Sequence, residues 1–202
     1  MLTAGDVDPT VRQLAVMDSQ GNVEVYTGEH CVDYAGHIVG EGFSVQGNML
    51  SGKAVIEATF ESMKNSKGKS MPVRILNALD AGQEAGGDKR GRQSAALMVV
   101  GDADPVFKKS NFIDPQRTNV NIRVDDASEP LKELRRIYSK WTDVFGEDET
   151  IPINEVQAQI SEALRKKGYS SLEKWAFDNN FTARITSDRI SRRVLEILTE
   201  RS

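Results

Sequence analysis

Glycine is distributed so unevenly along this chain that it divides the chain in two. Fourteen of the sixteen glycines lie between Gly5 and Gly101, and only Gly146 and Gly168 follow. Glycine reaches positive backbone angles and lets backbones approach closely, so the first half should consist of turns and short strands. The second half, poor in glycine and rich in helix formers, should be helical. With 202 residues the chain can hold one ordinary domain, or a larger one with a small one attached.

The local patterns agree with that division. Residues 11–18 read as a strand with Leu14 and Val16 on one face, and Ser19-Gln20-Gly21-Asn22 is turn chemistry. Val23-Glu24-Val25-Tyr26-Thr27 alternates like a returning strand, which makes a hairpin. Residues 41–50 are a weaker strand, broken by Gly42 and Gly47. Val55, Ile56, Phe60 and Met63 recur at helical spacing over residues 53–64. Ser70 can cap a second helix carrying Val73, Leu76 and Leu79, with Gly82 as its stop signal. Residues 94–100 are a nearly continuous apolar run, as in a strand buried on both faces. Val120, Ile122 and Val124 alternate as another strand.

After Asp126 the period changes to that of a helix. Ser128, Glu129 and Pro130 open one that carries Leu131, Leu134, Ile137, Tyr138, Trp141 and Phe145 and stops at Gly146. An acidic linker over 147–153 follows. Asn154 should cap a helix ending at Gly168, and residues 171–178 and 187–199 should form two more. The expected organisation is a sheet-bearing body over residues 1–126, a connecting helix and linker over 127–149, and a small all-helical unit over 150–202.

Composition removes several classes of function. Lys and Arg number 26 against 30 Asp and Glu, a balance that argues against a nucleic-acid or anionic-membrane surface. One cysteine, Cys31, cannot form a disulfide within the chain, and two histidines leave little for a zinc site. No apolar run approaches the ~20 residues that span a bilayer, and the expectation is a cytoplasmic protein without metal or cofactor.

Three groups of residues invite a chemical reading. Gly82-Gln83-Glu84-Ala85-Gly86-Gly87-Asp88-Lys89-Arg90-Gly91-Arg92-Gln93-Ser94 joins a helix to a strand. It presents either amides and guanidinium groups to an anion, with Asp88 orienting Arg90 or Arg92, or an ordered turn tied by its own ion pairs. Cys31 and His37 stand six residues apart, a nucleophile–base pair if the fold brings them together, and otherwise a buried thiol and an unrelated imidazole. Thr27 is a further internal hydroxyl. Gln46 and Asn48 share one strand face and either bind a ligand or satisfy nearby backbone. Tyr138, Trp141, Phe145, Tyr169, Trp175, Phe177 and Phe181 read as core at helical spacing, or as a sugar-stacking surface; Trp175 is expected to be buried.

The order of these motifs resembles the domain of unknown function 1028 family, placed among proteins resembling N-terminal-nucleophile hydrolases. The resemblance rests on Arg12-Gln13, Thr27-Gly28, Ala35-Gly36-His37, Gln46-Gly47-Asn48 and Gly86-Gly87-Asp88-Lys89-Arg90-Gly91-Arg92-Gln93-Ser94, with Ile122-Arg123-Val124-Asp125-Asp126 and Pro130-Leu131 at the exit. Lys167-Gly168-Tyr169, Trp175 and Asn179 resemble a small peptidoglycan-binding domain often appended to it. The resemblance implies an α+β fold, an αββα sandwich followed by the small helical unit, and hydrolysis of an amide bond in a small-molecule or peptide-like ligand. Gln46, Asn48, Asp88, Arg90 and Arg92 would lie at the cleft, an arginine holding a carboxylate and Asn48 an oxyanion. It also implies that the family's first strands and N-terminal nucleophile are missing before Met1. The chain as written should then be inert in that chemistry and should self-associate, as a homo-oligomer, through open sheet edges. The alternative is a non-catalytic binding or scaffold protein on the same fold.

Overall fold

Asp18 closes the first hairpin: its carboxylate accepts from the backbone N–H groups of Gln20 and Asn22, both at 2.9 Å, while Gly21 takes a φ of 83°. The strands it joins, β1 (Gln13–Met17) and β2 (Val23–Thr27), pair antiparallel with Gln13 opposite Thr27. These positions come from a computed structural model, which describes residues 3–100, 118–146 and 148–200.

A second hairpin follows, β3 (Gly36–Gly40) with β4 (Phe43–Gly47). The sequence reading places a strand only around β4, because β3 begins and ends with glycine. The structure explains Gly40: a Cβ there would stand 2.4 Å from the ring of Phe43 directly opposite. The glycine lets an aromatic ring lie across the strand.

Phe43 also stacks on Phe60 of α1 (Lys53–Asn65), with ring centroids 5.2 Å apart. Val55, Ile56 and Met63 are the buried side of α1, and Leu76, Ala78 and Gly82 that of α2 (Met71–Glu84). Gly82 is not the stop expected of it. It lies inside α2 against Thr59 of α1, and the helix ends two residues later, before the positive-φ pair Gly86 and Gly87.

Strands β5 (Ala95–Val100) and β6 (Thr118–Val124) pair antiparallel, with Leu97 opposite Ile122. One face of the pair, with Leu97, Val120, Ile122 and Val124, is buried. Met98 and Val100 point the other way and are more than half exposed, so the apolar run is not a strand buried on both faces. Its exposed side chains belong to a two-stranded ribbon with one covered face.

Helix α3 (Pro130–Phe145) is shared between two compact units. The first comprises residues 3–100 and 118–135 of the described chain, and the second begins at Arg136. The division falls inside the helix, where the sequence reading makes the whole helix a connector. In the first unit Leu134 is fully buried, and Arg135 pairs with Asp80 and donates to Asn77 at 2.9 Å.

The second unit contains α4 (Ile153–Lys167), α5 (Leu172–Asp178) and α6 (Arg192–Thr199) around Ile160, Trp175, Ala176, Val194 and Leu198. Gly168, at a φ of 75°, ends α4, and the Ser171 hydroxyl caps α5 through Lys174 N–H. The unit is not all-helical. Strands β7 (Thr150–Pro152) and β8 (Arg189–Ser191) pair, with Ile151 opposite Ile190. The sequence reading runs one helix through residues 187–199. Ser191 caps α6 by accepting from Val194 N–H, so the helix starts only at Arg192 and the residues before it are extended. Asn154 is likewise inside α4 rather than its cap, because the Ile153 N–H is already used on Asp188 O at 2.8 Å, continuing the β7–β8 pairing.

The chain is thus α+β, with four separate two-stranded antiparallel pairs among the described residues. Among those residues no helix is long and apolar enough to cross a membrane.

Candidate functional site

The glycine-rich loop is shaped by hydrogen bonds to the segment that leaves β4. Gly87 N–H donates back to Gly82 O at 3.0 Å, turning the chain, and Ser51 N–H donates to Gly87 O at 2.9 Å. Lys89 N–H donates to Met49 O at 2.9 Å, so Leu50 and Asp88 form an isolated antiparallel bridge. Within the loop Asp88 accepts from Arg90 three times: from N–H at 2.8 Å, Nε at 2.9 Å and Nη2 at 2.6 Å. The guanidinium bonded to both its oxygens holds the Asp88 carboxyl down at about 2, against an ordinary 3.8. Arg92 pairs with Glu129, at the start of the segment leading into α3. The arginines that the resemblance assigns to a substrate carboxylate are therefore both paired with carboxylates of the chain itself.

The loop borders a cleft of about 690 Å³ in the first unit. Gln46, Asp88, Arg90 and Arg92 line it, and Val55 and Ile56 form an apolar part of its wall. Gln93 and Ser94, not singled out in the sequence, line it as well. Their place between Arg92 and β5 was the available signal. Asn48 is absent from the lining, and its side chain has another use.

That use is a clasp between the two hairpins. Gln13, at the start of β1, shares the two hydrogens of Nε2 among Thr27 Oγ1 at 3.0 Å, Gly36 O at 3.1 Å and Gly47 O at 3.0 Å. Asn48 Nδ2 donates to Gln13 Oε1 at 3.1 Å. Gly36 and Gly47 are register partners, so one side chain ties β1–β2 to the open end of β3–β4. Sequence reasoning had Arg12-Gln13 only as part of a resemblance and gave Gln13 no role.

The expected Cys31–His37 pair is not the contact that forms. Cys31 Sγ donates to Arg12 O at 3.3 Å, while His37 Nδ1 lies 2.8 Å from Thr27 Oγ1. The geometry follows from register: His37 is on β3 next to Gly36, which the Gln13 clasp brings beside Thr27. A second hydroxyl–imidazole contact, Thr10 Oγ1 to His30 Nδ1 at 2.8 Å, joins a short 3-10 turn (Pro9–Val11) to the chain after β2. Neither pair lines the cleft. Among the described residues no group of three or more His, Cys, Asp or Glu side chains is placed to hold a metal ion.

In the second unit Trp175 is 3% exposed and stacks on Phe181 with centroids 5.4 Å apart, so it is core and not a sugar platform. The Arg184 side chain, largely covered, donates to Asp148 at 2.8 Å and to Ser191 Oγ at 3.0 Å, tying the linker to the cap of α6.

Three comparisons bear on identity. A family model described as "Family of unknown function (DUF1028)" matches residues 1–134. A crystal structure of a DUF1028 protein from Silicibacter pomeroyi is similar at a TM-score of 0.59 and 28% identity, over 73% of this chain and 60% of that one. The chain thus spans about 60% of the length of the solved relative. No curated protein matches it.

Proposed function

The chain belongs to the DUF1028 family of unknown function, and from that premise we propose that its first unit is a module that binds a small or peptide-like ligand in the cleft beside Val55 and Ile56. The observation that carries this reading is convergence of side chains on a cleft that holds neither hydroxyl–imidazole pair. Side chains from β4, the 86–94 loop and α1 meet on one cavity, and neither hydroxyl–imidazole pair lies on its lining. Arg90 and Arg92 are already paired, and the lining also carries neutral polar groups: the amides of Gln46 and Gln93 and the hydroxyl of Ser94, with Gln46 Oε1 accepting from Ser44 Oγ at 3.0 Å and its Nε2 left to donate. Amides both donate and accept, which suits a neutral amide-bearing ligand better than a carboxylate. The test is calorimetric titration with acetylated dipeptide amides. Saturable binding that Gln46→Ala with Gln93→Ala weakens about tenfold, the loss of one or two hydrogen bonds, supports the reading. Binding indifferent to both substitutions contradicts it.

A hydrolytic reading has one observation in its favour, the Thr27–His37 contact. His37 would take the Thr27 proton as Oγ1 attacks an amide carbonyl, then return it to the departing nitrogen as the C–N bond breaks, and water would release the acyl group. Gln13 Nε2, donating to Oγ1, would stabilise the developing alkoxide; Asn48, bonded to Gln13, is not free for an oxyanion. The αββα architecture belongs to the same proposal. Its support is that Phe43 of β3–β4 meets α1, while His37 of the same hairpin meets β2. Amidase turnover lost in both Thr27→Ala and His37→Gln would favour hydrolysis over binding alone. Self-association is proposed from the exposed Met98 and Val100 on β5; light scattering that gives a monomer would contradict it.

A further inference from the structure

The cleft has a feature that says what form its ligand takes. Among the described residues β4 is paired only with β3 and β5 only with β6, so each strand has one edge without a partner. Adjacent residues of both strands line the cleft: Val45 with Gln46, and Ala95 with Ala96. Successive side chains of a strand point to opposite faces. A cavity reached by two in a row therefore meets the strand at its edge, where backbone N–H and C=O groups lie. The Leu50–Asp88 bridge already joins the chain just after β4 to the chain before β5, in antiparallel sense. Among the described residues no ladder beyond that bridge connects the two hairpins.

We infer that the cleft takes a short extended peptide, bound as an added strand against the edges of β4 and β5. This rests on the cleft being the binding site and names the form of its occupant. Size supports it. One extended residue occupies about 160 Å³, from a rise of ~3.3 Å, a strand spacing of ~4.8 Å and a layer thickness of ~10 Å. A cleft of about 690 Å³ then holds about four residues. The wall chemistry gives the pattern: Val55 and Ile56 are buried side chains on the α1 side and take the apolar half of an alternating peptide. Recognition of this kind draws affinity from the main chain and selectivity from every second side chain. The ligand is therefore defined by extended backbone and alternation more than by one sequence.

The probes are a capped hexapeptide of alternating threonine and valine, and the same peptide N-methylated on every second residue, in each of the two registers. Acetylvaline amide is the small comparison ligand. Binding is read by calorimetry and located by backbone amide shifts at Val45, Gln46, Ala95 and Ala96. The inference expects the parent hexapeptide to bind at those residues. It also expects N-methylation in at least one register to weaken binding about tenfold or more, because each methyl removes a donor that the strand edge needs. Equal binding of parent and both methylated peptides would overturn strand pairing and leave the cleft as a side-chain site. So would binding of acetylvaline amide without the hexapeptide. Failure of every probe to reach those residues would sink the cleft reading with it. Ala95→Phe, which fills the cleft, should abolish hexapeptide binding in a protein whose circular dichroism is unchanged; undiminished binding by that folded variant counts against the inference.

Discussion

Replacing Gly82 by alanine tests the packing that sets the cleft's helical wall. In an ordinary helix interior the change gains about 1 kcal/mol. Here the new Cβ would stand 2.4 Å from Thr59 Oγ1, whose hydroxyl is held by its bond to Val55 O at 2.7 Å. Forcing α1 and α2 apart to relieve such an overlap costs about 1–3 kcal/mol. Overlap and propensity together predict a net loss of about 1 kcal/mol for Gly82→Ala. The clash is with one atom, since the next contacts, Thr59 Cβ and Val55 Cγ1, are both an ordinary 3.7 Å away. In a Thr59→Ala background the same substitution should therefore reverse sign and stabilise by up to about 1 kcal/mol. Urea denaturation of the four proteins, compared at unchanged slope, measures the cycle. A Gly82→Ala effect of the same sign and size in both backgrounds would refute the account of why this glycine is there.

Gln13→Leu removes donations to Thr27, Gly36 and Gly47 and leaves Asn48 without its acceptor. It should cost about 2–4 kcal/mol and speed hydrogen exchange through β3 and β4; unchanged exchange there would contradict the clasp. Trp175→Ala should cost about 3–5 kcal/mol and abolish the second unit's near-ultraviolet circular dichroism, whereas a folded variant would contradict its place in the core. Asp88 has its folded pKa lowered to about 2, so its contribution is full above the unfolded value of 3.8 and is lost as pH falls through that interval. Because Arg90 is largely exposed, the contribution is about 1 kcal/mol or less. The stability gap between the wild type and Asp88→Asn should shrink toward zero from pH ~6 to pH ~2, and a gap independent of pH would contradict the pairing.

Much of the local structure is legible in the sequence because it depends on nearest neighbours. Asp18 and Gly21 specify a turn, Ser171 and Gly168 specify helix ends, and the apolar stripes of α1 and α3 have the right period. Asp88 pairs with Arg90, one of the arginines the sequence offers it, for the same reason: two residues apart in one loop, they need no tertiary fold to meet. Gly82 looks like a stop signal, and β3 escapes notice, because the roles of Gly82 and Gly40 lie across space, in the Thr59 hydroxyl and the Phe43 ring. Cys31 and His37 each find another partner, since Cys31 Sγ donates to Arg12 O and register gives His37 to Thr27. Gln46 and Asn48 look alike in sequence, and only the fold sends one to the cleft and the other to Gln13. Ser191 hid a strand by capping a shorter helix than the apolar period suggested.

The central claim, that the first unit binds its ligand in the cleft and not at Thr27, is tested most directly by mapping backbone amide shifts during titration with an acetylated dipeptide amide. Binding in the cleft predicts saturable shifts grouped on Val45, Gln46, Gln93 and Ala95, with Gln13, Thr27 and His37 unmoved. Shifts grouped on Gln13, Thr27 and His37, with the cleft residues silent, would contradict it and move the site to the hydroxyl–imidazole pair.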